Sequence, residues 1–303
     1  MSTQDADGGC PFEGCCPRRD SSVRLIDARM PQLARSLSLF RYVQAVTGGP
    51  VAHLDQAGGY AVPSLRGEAF TVHPDSITLR LDAGGVGSAM LIRDDGTGSA
   101  ALHLLDENGT TVHQGRLLSD GDRLLSGLVP TVAPGSTPAV RLPALAVPPW
   151  QHGDQLAQLD EILADGGANR RARFADYTGE HRPLDFEAVP TVLEHACSTG
   201  LPLGVAVFAG PAMQACAGHV HVTDRTTGGR VFAALANSTL ELDLTAIRAC
   251  HLVRAAATHG PTTALELDDA DGNCAALITQ FGMVTPETHA AWEALTASLP
   301  PAP

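Results

Sequence analysis

Three thiols fall within seven residues of one another, at Cys10, Cys15 and Cys16 in the segment CPFEGCCPRRD. Thiolates bind soft metals or exchange with disulfides, and Arg18 and Arg19 beside them would lower a thiol pKa. Structural zinc sites usually supply four ligands at paired spacings, which this segment does not. It reads either as a tail or as a redox or metal element. A second cluster, His219 and His221 in HVH, puts two imidazoles on one face of a strand. No third ligand stands near it in sequence, so the pair reads as surface or half-buried histidine before it reads as a metal site. Several catalytic patterns are missing. There is no Gly-x-Ser-x-Gly elbow. The stretch GGVGSAM from Gly84 resembles a dinucleotide loop only loosely, without a strand–loop–helix unit around it. The chain contains no lysine. That excludes a Walker-type phosphate loop, Schiff-base chemistry and a protein-kinase site, each of which needs a lysine amine.

The remaining four cysteines, Cys197, Cys216, Cys250 and Cys274, stand among apolar residues and read as small buried hydrophobes. Seven thiols is an odd count, which argues against a complete disulfide framework. The formal net charge of −13 argues against general nucleic-acid binding and against attraction to anionic lipid. The opening MSTQDADGGC has no apolar core segment of a secretion signal. The longest apolar stretch, LPLGVAVFAGPAMQACAG from Leu201, is broken by Pro202, Gly204, Gly210 and Pro211. It suits buried strands rather than a membrane helix. The expected location is cytoplasmic.

The elements that must position any site follow from periodicity. Residues 1–21 read as a Cys-containing tail. From Ser22 to Val46, Leu25, Leu33, Leu37 and Phe40 recur near helical spacing, which predicts a helical region. Short alternating segments follow, YAVPSL, EAFTVH, ITLRL, AMLIR, ALHLL and TVHQGRLL. Asp94-Asp95-Gly96 and Asn108-Gly109 punctuate them, the pattern of an antiparallel meander. Six prolines between Pro130 and Pro149 exclude sheet interior and helix, so 129–149 reads as a linker. Beyond it, DQLAQLDEILADGG from Asp154 and VPTVLEHACSTG from Val189 predict helices, the second with proline in its first turn and glycine past its end. Seven more strand segments run from LGVAVFAG to CAALITQF, and PETHAAWEALTASL from Pro286 closes the chain as a helix. Helices followed by strands, twice, predicts an α+β fold.

The two halves also resemble each other. ALHLLDENG from Ala101 and ALELDDADG from Ala264 stand 163 residues apart. Leu102/Leu265, Leu104/Leu267, Asp106/Asp269 and Gly109/Gly272 hold that offset without a gap, as do Leu79/Leu242 and Leu81/Leu244. The organisation expected is a tail (1–21), a first repeat (22–128), a Pro-rich linker (129–149) and a second repeat (150–303), each repeat a lobe of helices packed on a large antiparallel β-sheet.

These residues together resemble the bacterial hemin-degrading factor family (HemS/ChuX type). The most specific stretch is TTALELDDADGNCAALITQFGMVTPETHAAWEAL, similar to that family's closing pattern of strand, Asp-Gly turn, strand into Phe-Gly, Pro-Glu step and Trp-containing helix. LPLGVAVFAG, VQAVTGGPVAHLDQAGGY and VHPDSITLRL resemble earlier strands. The resemblance covers most of 40–125 and 150–303 and implies a duplicated α+β chain that binds haem in the cytoplasm. Residue by residue it implies Arg80 as the arginine of the first sheet, facing the distal side of the iron or a propionate. It implies His152, just beyond Trp150, as the axial iron ligand, with His181 in TGEHRPLDF as the alternative. Several family cations are absent: Gly48-Gly49, Pro211-Ala212, Ala255-Ala256 and Val284 stand where the pattern has Arg-Asn, Asn-Arg, Lys-Pro and Arg. The implied function is to carry, buffer or degrade imported haem for iron acquisition, with a haem importer or a reductase as partner, and with neither nucleic acid nor membrane insertion. The rival is a non-catalytic relative that has lost haem and acts as an interaction or regulatory module.

Overall fold

The computed structural model describes residues 21–26, 29, 32–94, 96–131, 155–174, 181–257, 260–281 and 284–302. The first repeat opens with strand β1 (Ser21–Ile26) and a short helix α1 (Gln32–Leu37). The meander follows: β2 (Val43–Gly48), β3 (Ala52–Tyr60), β4 (Ser64–Leu65), β5 (Ser76–Leu81), β6 (Val86–Asp94), β7 (Ala100–Asp106) and β8 (Thr111–Leu117). Helix α2 (Asp120–Leu125) ends it, capped by Ser119, whose hydroxyl accepts from the Asp122 N–H. The second repeat runs α3 (Gln155–Asp165), α4 (Ala168–Phe174), β9 (His181–Leu184) and α5 (Ala188–Thr199). Strands β10 (Pro202–Ala209), β11 (Ala212–Arg225), β12 (Arg230–Leu235), β13 (Ser238–Asp243), β14 (Ala249–Ala257), β15 (Gly260–Asp268) and β16 (Cys274–Thr279) follow, then α6 (Pro286–Ser298). The α+β class is borne out: among the described residues sixteen strands join one sheet, almost entirely antiparallel.

The strand order is β1-β6-β7-β8-β2-β3-β13-β12-β11-β10-β16-β15-β14-β9, and β5 lies off this path, paired with β11, β3 and β4. The 163-residue offset maps β6 onto β14 end for end and carries β7 and β8 onto β15 and β16. The two halves also trade strands. Strand β13 of the second half pairs with β3 of the first, Leu240 opposite Leu54, while β5 of the first pairs with β11 of the second, Leu79 opposite Gln214. The cores are shared accordingly. Val51, Ala52 and Leu54 pack with α5, Trp292 and the second-half strands, and Ala212 packs with α1 and the first-half strands.

Two sequence expectations are corrected. The helical region expected over 22–46 is a strand, a six-residue helix and another strand. Val23 and Leu25 alternate with polar neighbours on β1, which pairs with β6, and only Leu33 and Leu37 keep the one-turn spacing that buries them. EAFTVH is not a strand either; Phe70 and Val72 pack as partly buried loop residues. Helix α3 ends on the glycines expected for it: Gly166 and Gly167 take φ of 69° and 89° and turn the chain into α4. Helix α5 ends as expected on Gly200 in the left-handed region, and α6 starts on Thr285, whose hydroxyl accepts from the Thr288 N–H. The Cys tail through residue 20, linker residues 132–149 and His152 lie outside the described residues.

Candidate functional site

The turn at Gly166-Gly167 delivers Phe174, at the end of α4, onto the imidazole of His181 at the start of β9. The rings stack with centroids 4.4 Å apart and 19° between planes. A second imidazole, His251 on β14, lies 5.6 Å from the Phe174 ring and 6.1 Å from His181. Val253 and Ala157 close an apolar patch against Phe174, so the first turn of α3 belongs to the same place. Beneath it Glu266 of β15 is buried, held by both terminal nitrogens of Arg170 and by the Gln158 amide. The Arg170 guanidinium also lies over the Phe174 ring, 5.0 Å from its centroid. Beside them Asp268 stands 3.5 Å from the Arg171 guanidinium and 3.6 Å from His251 Nε2.

Burial sets the charges. It lowers the His251 pKa to about 4, with the charges of His181, Arg170 and Arg171 adding to the effect. It lowers His181 as well, again reinforced by Arg170. Burial pushes the Asp268 carboxyl up to about 7 in spite of Arg171. At neutral pH both imidazoles are therefore uncharged and keep a lone pair, the form in which histidine ligates a metal.

Arg80 has a different setting. On β5 the side chains of Ile77, Leu79 and Leu81 pack into the first core, as their alternation requires, and Arg80 points the other way, against α3. It is 0% exposed. Its Nε donates to Asp160 Oδ1 at 2.6 Å, and its terminal nitrogens donate to Ser64 Oγ and to the Glu68 carbonyl, each at 3.0 Å. The Phe70 ring lies 5.5 Å from its guanidinium carbon. Asp160 Oδ2 also accepts from the Gly67 N–H at 2.9 Å, so one carboxylate ties α3, β5 and the 64–68 loop together.

Where the hairpins at Asp106 and Asp269 approach each other, a cleft of about 510 Å³ opens between the halves. Its floor is apolar, with Phe208 and Ile162, and its rim carries Asp82, Asp106, Glu107, Asp165 and Asp269. Gly48, which stands where the family pattern has an arginine, lines it beside Gly49 and Pro211, and among the described residues no arginine does. A dianion such as haem would be repelled here.

His219 and His221 are both exposed on β11, and among the described residues no group of three or more His, Cys, Asp or Glu is arranged to hold a metal ion. Two buried histidines were not singled out from the sequence. His113 bridges Tyr60 and Thr47, and His103 is 1% exposed with neither ring nitrogen hydrogen-bonded. The available signal for His103 was the 163-residue offset, which sets it opposite Glu266, itself buried.

No family model matches the sequence, and no curated protein matches it. Solved structures do. The chain superposes on apo-PhuS, a heme-binding protein from Pseudomonas aeruginosa, with TM-score 0.71 and 20% identity over 92% of this chain and 87% of that one. It superposes on the heme degrading enzyme ChuS of Escherichia coli O157:H7 with TM-score 0.74 and 19% identity, again over 92% and 87%. The chain thus has the fold of the HemS/ChuX-type proteins that its sequence resembles, at a divergence that carries the fold alone. Haem asks for a neutral nitrogen donor, an apolar wall and cations for its propionates. The α4–β9 end meets the first two with His181 and Phe174 and offers Arg171, partly exposed, for the third. These residues fit the group. Arg80, enclosed by Asp160, Ser64 and Glu68, presents no open donor to it.

Proposed function

We propose that the chain binds haem at the end of α4, with a neutral imidazole as the axial ligand, and that it carries, buffers or degrades imported haem for iron acquisition. The observation that carries this reading is His181, held uncharged and laid flat against Phe174, in a fold shared with haem-binding and haem-degrading proteins. In sequence His152 comes three residues before α3, whose first turn packs at this same patch, and it remains the alternative ligand to His181. Bound haem would supply an iron centre for oxygen and electron chemistry. The chain's own residues would supply the nitrogen donor, the Phe174 wall and, through Arg171, a partner for a carboxylate. No described helix is long and apolar enough to cross a membrane. A haem importer or a reductase is the partner this role requires.

The rival reading, an interaction module without haem, is favoured by Arg80, whose guanidinium is already paired inside the fold, and by the acidic cleft. A titration of the purified chain with hemin, followed in the Soret region, separates the two. A saturating shift that His181→Ala or His152→Ala abolishes, with circular dichroism unchanged, supports haem binding and names the ligand. A parent chain that produces no saturating shift overturns it.

A further inference from the structure

The cleft between the halves is built from the duplication. Read inward from its two ends, the sheet runs in matching order, β6-β7-β8-β2-β3 and β14-β15-β16-β10-β11. The halves therefore meet through the same elements. At the 163-residue offset Gly48 maps onto Pro211, Asp106 onto Asp269 and Thr110 onto Asn273, and all six line the cleft. Gly48 ends β2 and Pro211 turns β10 into β11, while Asp106 ends β7 and Asp269 follows β15, each at the start of its hairpin turn. The cleft thus presents one arrangement, a turn beside a hairpin carboxylate, twice.

These carboxylates keep charge and acceptors to spare. Asp106 Oδ1 accepts from the Asn108 and Thr110 N–H groups at 2.9 and 2.8 Å, and Asp269 Oδ1 accepts from the Asn273 N–H at 2.7 Å. Each turn uses one oxygen of its carboxylate and leaves the other. Asp82 on the rim is paired with Arg66 at 3.2 Å. Asp106, Asp165 and Asp269 are half-buried and form no ion pair among the described residues. Arg171, behind the second hairpin, faces Asp268 at 3.5 Å and does not line the cleft. Helix α3 also ends on the cleft, at Asp165, with no basic residue in its last turn. A helix C-terminus carries partial negative charge and ordinarily draws a cation. Between the charged rims lies the apolar floor of Phe208 and Ile162.

We propose that this cleft binds a linear aliphatic diamine or polyamine, one ammonium at Asp106 and another at Asp269, with the methylene chain over Phe208 and Ile162. Two matching carboxylates on either side of an apolar floor suit a ligand with two like ends and a hydrocarbon middle. The cleft's volume of about 510 Å³ is that of a small-molecule site. A lone divalent metal ion is disfavoured, because among the described residues no three His, Cys, Asp or Glu converge to hold one. The site stands whether or not haem binds at the α4–β9 end.

Titration calorimetry of the full chain tests this with straight-chain diamines of increasing length from putrescine, each beside the monoamine of the same length, and with Mg²⁺ as the bare dication. The parent should bind one equivalent of diamine, most tightly at one chain length, and the matching monoamine more weakly by roughly one to two decades, the loss of one charge-assisted bond. Asp106→Asn and Asp269→Asn keep the oxygen that each turn uses and should each weaken the best diamine by a similar factor, with circular dichroism unchanged. Asp75→Asn, exposed and outside the cleft, should leave binding as it was. Failure of every diamine to saturate, or binding that both cleft variants leave intact, overturns the proposal. A monoamine as tight as its diamine overturns the two-ended site. An equal loss in Asp75→Asn marks general attraction to an acidic protein and overturns it as well. Mg²⁺ that displaces the diamine and is itself lost in the cleft variants assigns the cleft to a metal ion instead.

Discussion

His113 shows how one buried side chain can set a pH limit. Thr47 Oγ1 donates to Gln214 Oε1 at 2.8 Å, so that hydroxyl can only accept from His113 Nδ1, 2.7 Å away. His113 Nε2 is then the lone pair that accepts from the Tyr60 hydroxyl at 2.7 Å. The network fixes a neutral tautomer. Burial, reinforced by His103 nearby, lowers the pKa to about 3. An unfolded chain takes up this proton near pH 6.5, and the native state refuses it until about 3. His113 therefore favours the fold fully above pH 6.5, and that advantage is lost as the pH falls toward 3, at about 1.4 kcal/mol per pH unit for one proton. His113→Gln should start less stable at pH 7 and lose less on acidification. Urea midpoints between pH 7 and pH 4.5 measure this, and parallel pH curves for the two proteins would refute a neutral His113. Sequence reading did not reach this residue, because TVHQGRL alternates like any half-exposed strand. What buries His113 is Tyr60, more than fifty residues earlier.

At the scale of elements, the Arg80–Asp160 pair joins β5 to α3 across the linker, with side chains 0% and 5% exposed. Such a pair is a weak net stabiliser, since both charges were taken out of water, yet losing one partner strands the other. Arg80→Ala and Asp160→Ala should each cost about 3–5 kcal/mol of unfolding free energy by urea denaturation, and the double variant much less than their sum. A loss below about 1 kcal/mol in either single variant would mean that solvent reaches the pair. Strand ITLRL was legible, including the face that Arg80 takes, because alternation decides it. Its partner was not legible, because Asp160 reads as one polar position in an amphipathic helix and nothing local says which strand that helix will cover. The misread region 22–46 has the same cause: Leu33 and Leu37 satisfy one helical turn, but β1 is specified by pairing with β6, far along the chain. The caps were legible, as Gly200 and Thr285 show, because their chemistry is local.

At the scale of the whole molecule, the repeat was visible as a constant offset, but the exchange of β5 and β13 between the halves was not, since sequence pattern fixes faces and leaves partners open. The exchange has a thermodynamic consequence. A chain of 303 residues with two lobes would ordinarily be expected to unfold in more than one step. Here Leu54 of β3 and Leu240 of β13 face each other across the boundary and are both 0% exposed in one core, and β5 completes the other half's sheet against β11. Neither lobe can lose its strands without opening the other. The protein should therefore melt in a single transition, with calorimetric and van't Hoff enthalpies equal. Leu54→Ala in the first half and Leu240→Ala in the second should each move that transition down by an amount equivalent to about 2–5 kcal/mol, and the pair should be non-additive because the two side chains share one cavity. Two resolved transitions, with Leu54→Ala shifting one and Leu240→Ala the other, would show that the lobes fold independently despite the traded strands.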